Sequence, residues 1–148
     1  SSDLLSNGKS SRLYKNLIKN TREFSEIEAY VGGEYDPGLF IFSGKIAGNT
    51  SVEKAEEALL NEIAGFIHDP ITDREFEKIL NKTEARISYS EINYQNKAAN
   101  LAYFEFLGDI DLINTEKVRY EKTDIRQVKA TAQEIFRAEN CSTLLYLK

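Results

Sequence analysis

Methionine is missing altogether from this 148-residue chain, and cysteine and histidine occur once each. A complete translation product starts with Met, so the sequence reads as a processed or cloned piece of something longer. Cys141 alone excludes an internal disulfide and any cysteine-rich zinc module. Its place in the apolar-flanked run CSTLLYL predicts a buried structural thiol. With His68 as the only histidine, an ordinary zinc site lacks the further N or S ligands it needs, and neither His-Glu-x-x-His nor its inversion occurs. A Ser–His–Asp set would also have to use His68, and there is no Gly-x-Ser-x-Gly elbow. No apolar run approaches the roughly 20 residues that cross a bilayer, and no signal-like n-region and h-region are present.

A basic face is lacking too. The formal net charge is −5, with Lys and Arg spread among Asp and Glu. Nucleic-acid binders draw most of their affinity from phosphate neutralisation, so the composition argues against such a partner. An acidic chamber that attracts basic peptides stays open, beside plain solubility. Carboxylates such as Glu53, Glu56, Glu57 and Glu62 lie along a helix whose other face is apolar, the pattern of a solvated face.

What is present suits a soluble globular chain, read as a single domain over residues 1–148. Ser10 or Ser11 caps a short helix over residues 10–20, with Leu13, Leu17 and Ile18 on one face. Residues 25–47 read as a β-hairpin around the turn Tyr35-Asp36-Pro37-Gly38, with Gly32-Gly33 marking a bulge or a close backbone approach. Residues 50–138 are helical. Thr50 with Glu53, and Thr72 with Glu75, have capping-box spacing. Asp69-Pro70 and Gly108 are stop signals, and Thr123 caps the last helix. The near-continuous apolar run at residues 141–147 predicts a strand that joins the sheet. The expected fold is α+β: a small antiparallel-rich sheet, hairpin 25–47 plus strand 141–147, covered on one side by helices in a two-layer sandwich.

Gly8-Lys9-Ser10 looks like the tail of a phosphate-binding loop. The full motif needs a Gly five residues earlier, where this chain has Asp3, and a preceding strand, which is absent. The bland alternative is a turn between helices, with Gly8 as C-cap and Ser10 as the next N-cap. A nucleotide-binding module using Lys9 and Ser10 is therefore a remote alternative. From the residues alone, the chain reads as a non-catalytic domain with no catalytic and no metal-binding residue.

Several stretches together resemble the insulinase/pitrilysin zinc metallopeptidases. NGKSSRLYKNL is similar to that family's loop-and-helix signature, roughly Leu-Gly-Gly-Gly-x-Ser-Ser-Arg-Leu-Tyr/Phe-x-x-Leu, with matches at Gly8, Ser10, Ser11, Arg12, Leu13, Tyr14 and Leu17. DPGLFIF resembles the strand after the hairpin turn, and ITDREFEKILNKTEARI its long helix. AYFEFLGD and the helix near Thr123 follow in the family's order. The resemblance covers nearly the whole chain.

It implies an N-terminally truncated, non-metal half of a two-half peptidase, beginning after the half's first strand, with a sheet edge left open to pair with another chain or pack on a neighbour. That half would wall a peptide chamber and dock against a zinc-bearing half or subunit, the zinc residing in the partner. Relatives occur as single chains of two halves, paired subunits or homodimers, and the bacterial periplasm is the compartment the family suggests. In active members the helix continues as Leu-Arg-Glu-x-x-Gly-Leu-Ala-Tyr, whose Arg and Tyr assist at the cleft. Aligned without gaps, those positions are Ile18 and Ser25 here. Arg22 replaces them only with a shift of register, which makes it the one candidate substrate-binding residue. The alternative is a structural or assembly subunit from a wholly inactive relative.

Overall fold

The structure, a computed structural model, describes residues 1–32 and 38–146, the side chains of Glu91, Glu116 and Lys117 excepted. The chain forms two compact units. One comprises Ser1–Ile71 with Arg126–Lys148, and the other comprises Thr72–Ile125.

The first unit is built on a hairpin. Strand β1 (Phe24–Gly32) pairs antiparallel with β2 (Leu39–Ile46), with Ala29 opposite Phe42 and Val31 opposite Phe40. The register shifts between Phe24 and Glu26, so Ser25 falls outside the ladder as a bulge. The extra residue rephases the strand. Phe24, Ile27 and Ala29 thereby share a face with Phe40, Phe42 and Gly44, while Glu26, Glu28 and Tyr30 take the other. Gly32 marks a close approach, since a Cβ there would meet Ile41 Cδ1 at 3.2 Å. Gly33 and the turn chemistry of Tyr35, Asp36 and Pro37 lie outside the described residues.

Helices cover the apolar face. Helix α1 (Ser2–Ser6) packs against β1, and the Ser6 hydroxyl donates to the Ala29 carbonyl at 2.8 Å. A π-helical segment, Tyr14–Asn20, follows, and the Thr21 N–H reaches back five residues to the Asn16 carbonyl at 2.9 Å. Helix α2 (Val52–His68) starts at Ser51, whose hydroxyl accepts from the Lys54 N–H. The cap is thus Ser51 and not Thr50, because the apolar stripe from Val52 to Phe66 sets where the helix must begin. Asp69-Pro70 ends it as expected, with the Asp69 N–H returning to the Gly65 carbonyl. Leu4, Leu5, Leu13, Leu17, Ala29, Ala55, Phe66, Val128 and Ala132 form the buried core. Phe136, just past helix α6 (Ile125–Ile135), lies edge-on to Phe40 with ring centroids 4.8 Å apart.

The expected α+β arrangement of a small antiparallel sheet under helices is present. The C-terminal strand is not. Residues 141–146 have no ladder partner among the described residues, the sheet has two strands, and residue 147 lies outside the description. Leu144 and Tyr146 are consequently exposed. Cys141 is exposed as well, contrary to the buried thiol predicted from its neighbours, because no sheet face covers the segment.

The second unit holds α3 (Asp73–Ile92), α4 (Tyr94–Phe106) and α5 (Leu112–Glu121), with α3 packed on both others. Thr72 caps α3 by accepting the Glu75 N–H at 3.2 Å, as predicted. Asn93 breaks α3 from α4 and accepts from the Gln95 N–H, and Gly108, at φ +86°, stops α4. Thr123 does not cap the last helix. Its hydroxyl donates back to the Arg119 carbonyl and closes α5.

Candidate functional site

The signature loop folds as a turn between two helical segments. Gly8 sits at φ +91°, a conformation that side chains with a Cβ rarely adopt, and its carbonyl accepts the Ser11 N–H at 2.9 Å. Helix α1 precedes it, and the Asn7 amide is bonded to the Asp3 carboxylate at 2.7 Å. The strand–loop–helix setting of a phosphate loop is therefore not what surrounds Lys9, which is exposed. Ser10 is also exposed. Ser11 is buried with its hydroxyl unpaired, and Leu13 is fully buried in the core.

Arg12 points at the end of α2. Its guanidinium donates to the Pro70 carbonyl at 3.0 Å and stands 5.5 Å from the centroid of the Phe66 ring. Lys129 of α6 reaches the same place. Its ammonium donates to the carbonyls of Phe66 (2.6 Å), Ile67 (3.1 Å) and Asp69, and lies 5.8 Å from the Phe66 ring centroid. Lys129 thus satisfies carbonyls that the helix terminus leaves without intrahelical donors, at the negative end of its dipole, and Arg12 satisfies the Pro70 carbonyl just past it. His68, in the last turn of α2, is exposed. Among the described residues, no three His, Cys, Asp or Glu side chains are grouped to hold a metal ion.

Arg22 is exposed at φ +59°, between the π-helical segment and β1. In the gapless alignment it stands on the Gly of the Leu-Arg-Glu-x-x-Gly-Leu-Ala-Tyr pattern, and a positive φ is what a glycine serves. Ile18 is half-buried in the π-helical segment. Ser25 is the bulge residue, and its hydroxyl donates to the Lys45 carbonyl at 3.1 Å.

One feature had no sequence signal beyond a charged residue in a polar turn. Glu23 is buried, with 7% of its surface exposed. Its Oε1 is 3.7 Å from Lys54 Nζ, too long for a hydrogen bond, and its Oε2 has no hydrogen-bond partner. It lines a cleft of about 190 Å³ with Lys54, Glu57, Ala58 and Asn61 of α2.

Residues 2–83 match the family described as the peptidase M16 inactive domain. No curated protein matches the chain. Among solved structures, a protease from Helicobacter pylori is similar at 20% identity with a TM-score of 0.83, over 90% of this chain and 32% of that one. A candidate zinc protease from Bordetella pertussis Tohama I has 21% identity and a TM-score of 0.75, over 88% of this chain and 72% of that one. The inactive peptidase domain of a candidate zinc protease from Bordetella parapertussis has 21% identity and a TM-score of 0.78, over 88% of this chain and 70% of that one. At such identities these likenesses show the fold, and this chain spans only 32% of the Helicobacter chain. The family match covers more than half of the sequence and includes the whole Gly8–Leu13 loop: the chain belongs to the peptidase M16 inactive-domain family.

Proposed function

We propose that this chain serves as the non-catalytic half of an insulinase/pitrilysin-like zinc peptidase, walling a peptide-holding chamber and docking against a zinc-bearing half. The match of residues 2–83 to an inactive peptidase domain carries the reading. The donor set supports it: a lone exposed histidine does not fit a zinc ion, so zinc belongs to the partner half and no chemical step is assigned to residues here. What these residues contribute is shape. Arg12 and Lys129 fix the end of α2 against the signature loop and α6. Arg22, an exposed cation at the head of β1, is the candidate contact with a peptide substrate.

The register favours a second reading, a structural or assembly subunit without peptidase work. The family's Arg and Tyr positions carry Ile18 and Ser25, neither of which supplies a cation or a phenol. Mixing this chain with a zinc-bearing half separates the two. The chamber reading expects faster peptide cleavage than that half gives alone, and an equal rate leaves the scaffold. Replacing Arg22 by Ala should lower the accelerated rate, and an unchanged rate ends its candidacy.

A further inference from the structure

We propose that Asn16 and Glu62 form a latch that holds Tyr14–Asn20 in a π register, and that opening it returns the segment to α-helix and turns Arg22 to a new bearing. The consequence for Arg22 rests on its reading as a peptide contact; the latch itself does not.

Nothing local asks for the wide turn. The segment YKNLIKN holds no Gly or Pro, so its own propensities allow an ordinary α-helix. The turn before it is α-type, with the Lys15 N–H donating to the Ser11 carbonyl at 3.1 Å. Leu13 (φ −57°, ψ −46°) and Thr21 (φ −87°, ψ −26°), at the two ends, both lie in the α region. π-Helical turns are rare, so a contact from outside the segment has to favour this one.

Asn16 supplies that contact. Its side-chain amide donates to Glu62 Oε2 of α2 at 2.8 Å, in a part-buried setting. The carbonyl of the same residue closes the wide turn, accepting the Thr21 N–H from five residues on and the Thr21 hydroxyl, each at 2.9 Å. In an α register the Thr21 N–H would take the Leu17 carbonyl instead. Asn16 is thus tied to α2 by its side chain and to the end of the segment by its backbone.

Losing the extra residue of the wide turn carries everything beyond it one step round the axis, roughly 100°. Arg22 comes just after, at φ +59°, a backbone angle that is costly for a residue with a Cβ. Two unfavourable local geometries therefore stand side by side, and the bond from Asn16 to α2 supports the first. Asn16 is a positioning residue for Arg22. A peptide that engages Arg22 in one register better than in the other shifts the balance between them.

The test reads which carbonyl accepts the Thr21 N–H, through scalar couplings across hydrogen bonds in the full chain labelled with 15N and 13C. The parent should couple Thr21 to Asn16. Glu62→Ala should move the register toward α about fivefold, the worth of one net hydrogen bond, so that the coupling to Asn16 fades and one to Leu17 appears. Asn16→Ala should do the same, and the double variant no more than either. Glu62→Gln, which keeps an acceptor oxygen, should retain the parent pattern. The proposal fails if the parent couples Thr21 to Leu17, if Glu62→Ala keeps the Asn16 coupling, if neither coupling survives in that variant, or if Glu62→Gln behaves like Glu62→Ala. Because the register is read on the chain alone, an unchanged cleavage rate for Arg22→Ala removes the peptide reading and leaves the latch standing.

Discussion

Replacing Lys129 by Met keeps the aliphatic stem and removes the ammonium, which isolates what that charge does at the end of α2. Three carbonyls lose their donor: Phe66, Ile67 and Asp69. The bonds to Phe66 and Ile67 are part-buried, whereas that to Asp69 is exposed, so water replaces the last at little cost. An acceptor left unpaired away from solvent costs about 1–3 kcal/mol. Taking the lower part of that range for two part-buried carbonyls, with about 0.5 kcal/mol for the lost cation over the Phe66 ring, gives a destabilisation of about 3 kcal/mol. Urea unfolding followed by circular dichroism should show a lower midpoint at unchanged slope, the sign of lost stability without a changed denatured state. A Lys129→Met unfolding free energy within about 0.5 kcal/mol of the parent would mean that the charge is merely a surface one and that the carbonyls are satisfied by water. Combining it with Arg12→Met should give a non-additive loss, since both cations share Phe66 and the same helix end.

Arg22→Gly should stabilise the chain by about 0.5–1 kcal/mol, because the left-handed cost of a side chain at φ +59° exceeds the flexibility that glycine adds; a lower thermal midpoint would mean that contacts of Arg22 outweigh its strain. Gly44→Ala should destabilise by about 1–3 kcal/mol, since its Cβ would lie 2.9 Å from Phe24 Cδ1 and 3.1 Å from the Glu26 carbonyl oxygen; an unchanged urea midpoint would show that the Phe24 ring yields freely. Glu53 is held below its ordinary 4.5 by its own backbone N–H and then by the Ser51 hydroxyl. Its contribution to stability is therefore complete above pH 4.5 and fades as the pH falls through the lower folded value. Glu53→Gln should flatten that acid limb of the stability curve, and a limb of unaltered slope would exclude Glu53 as its source.

Local patterns revealed the helices and the hairpin because their causes lie within a few residues. Thr72 and Gly108 punctuate the chain by their own hydroxyl and their own φ. The start of α2 was ambiguous by one position, as Thr50 and Ser51 are both competent caps and only the burial of the Val52–Phe66 stripe decides between them. The bulge at Ser25 did leave a mark, two consecutive polar residues, Ser25 and Glu26, between Phe24 and Ile27, but at the edge of the strand that break reads as the strand's start. The run at 141–146 announces an appetite for a sheet without stating whether a strand stands ready to pair with it. Lys129 and Glu23 were the least legible. Each looks like a solvated charge in sequence, and each owes its role to residues far along the chain: Phe66 and Ile67 for one, α2 for the other. The signature residues of the Gly8–Leu13 loop were recognisable as a family mark, but what Arg12 does became clear only with Pro70 and Phe66 beside it.

Fold and chemistry separate cleanly along one stretch of this chain. From Gly8 to Leu13 the residues serve the interior: a left-handed turn, a buried serine, an arginine on a helix end and a leucine in the core. Changing Gly8, Ser11, Arg12 or Leu13 disturbs local structure whether or not a substrate is present. In the gapless alignment Ile18 and Ser25 stand where the resemblance puts an Arg and a Tyr, and each has a local role in the fold. Ile18 adds half-buried hydrocarbon to the π-helical segment. Arg22 bears a backbone angle that glycine would take without strain, and Ser25 closes the bulge through the Lys45 carbonyl. Ile18, Arg22 and Ser25 all lie outside the buried core, so changes at these positions should cost little stability. The loop before them holds core residues, so its loss should cost stability whatever chemistry the half takes part in.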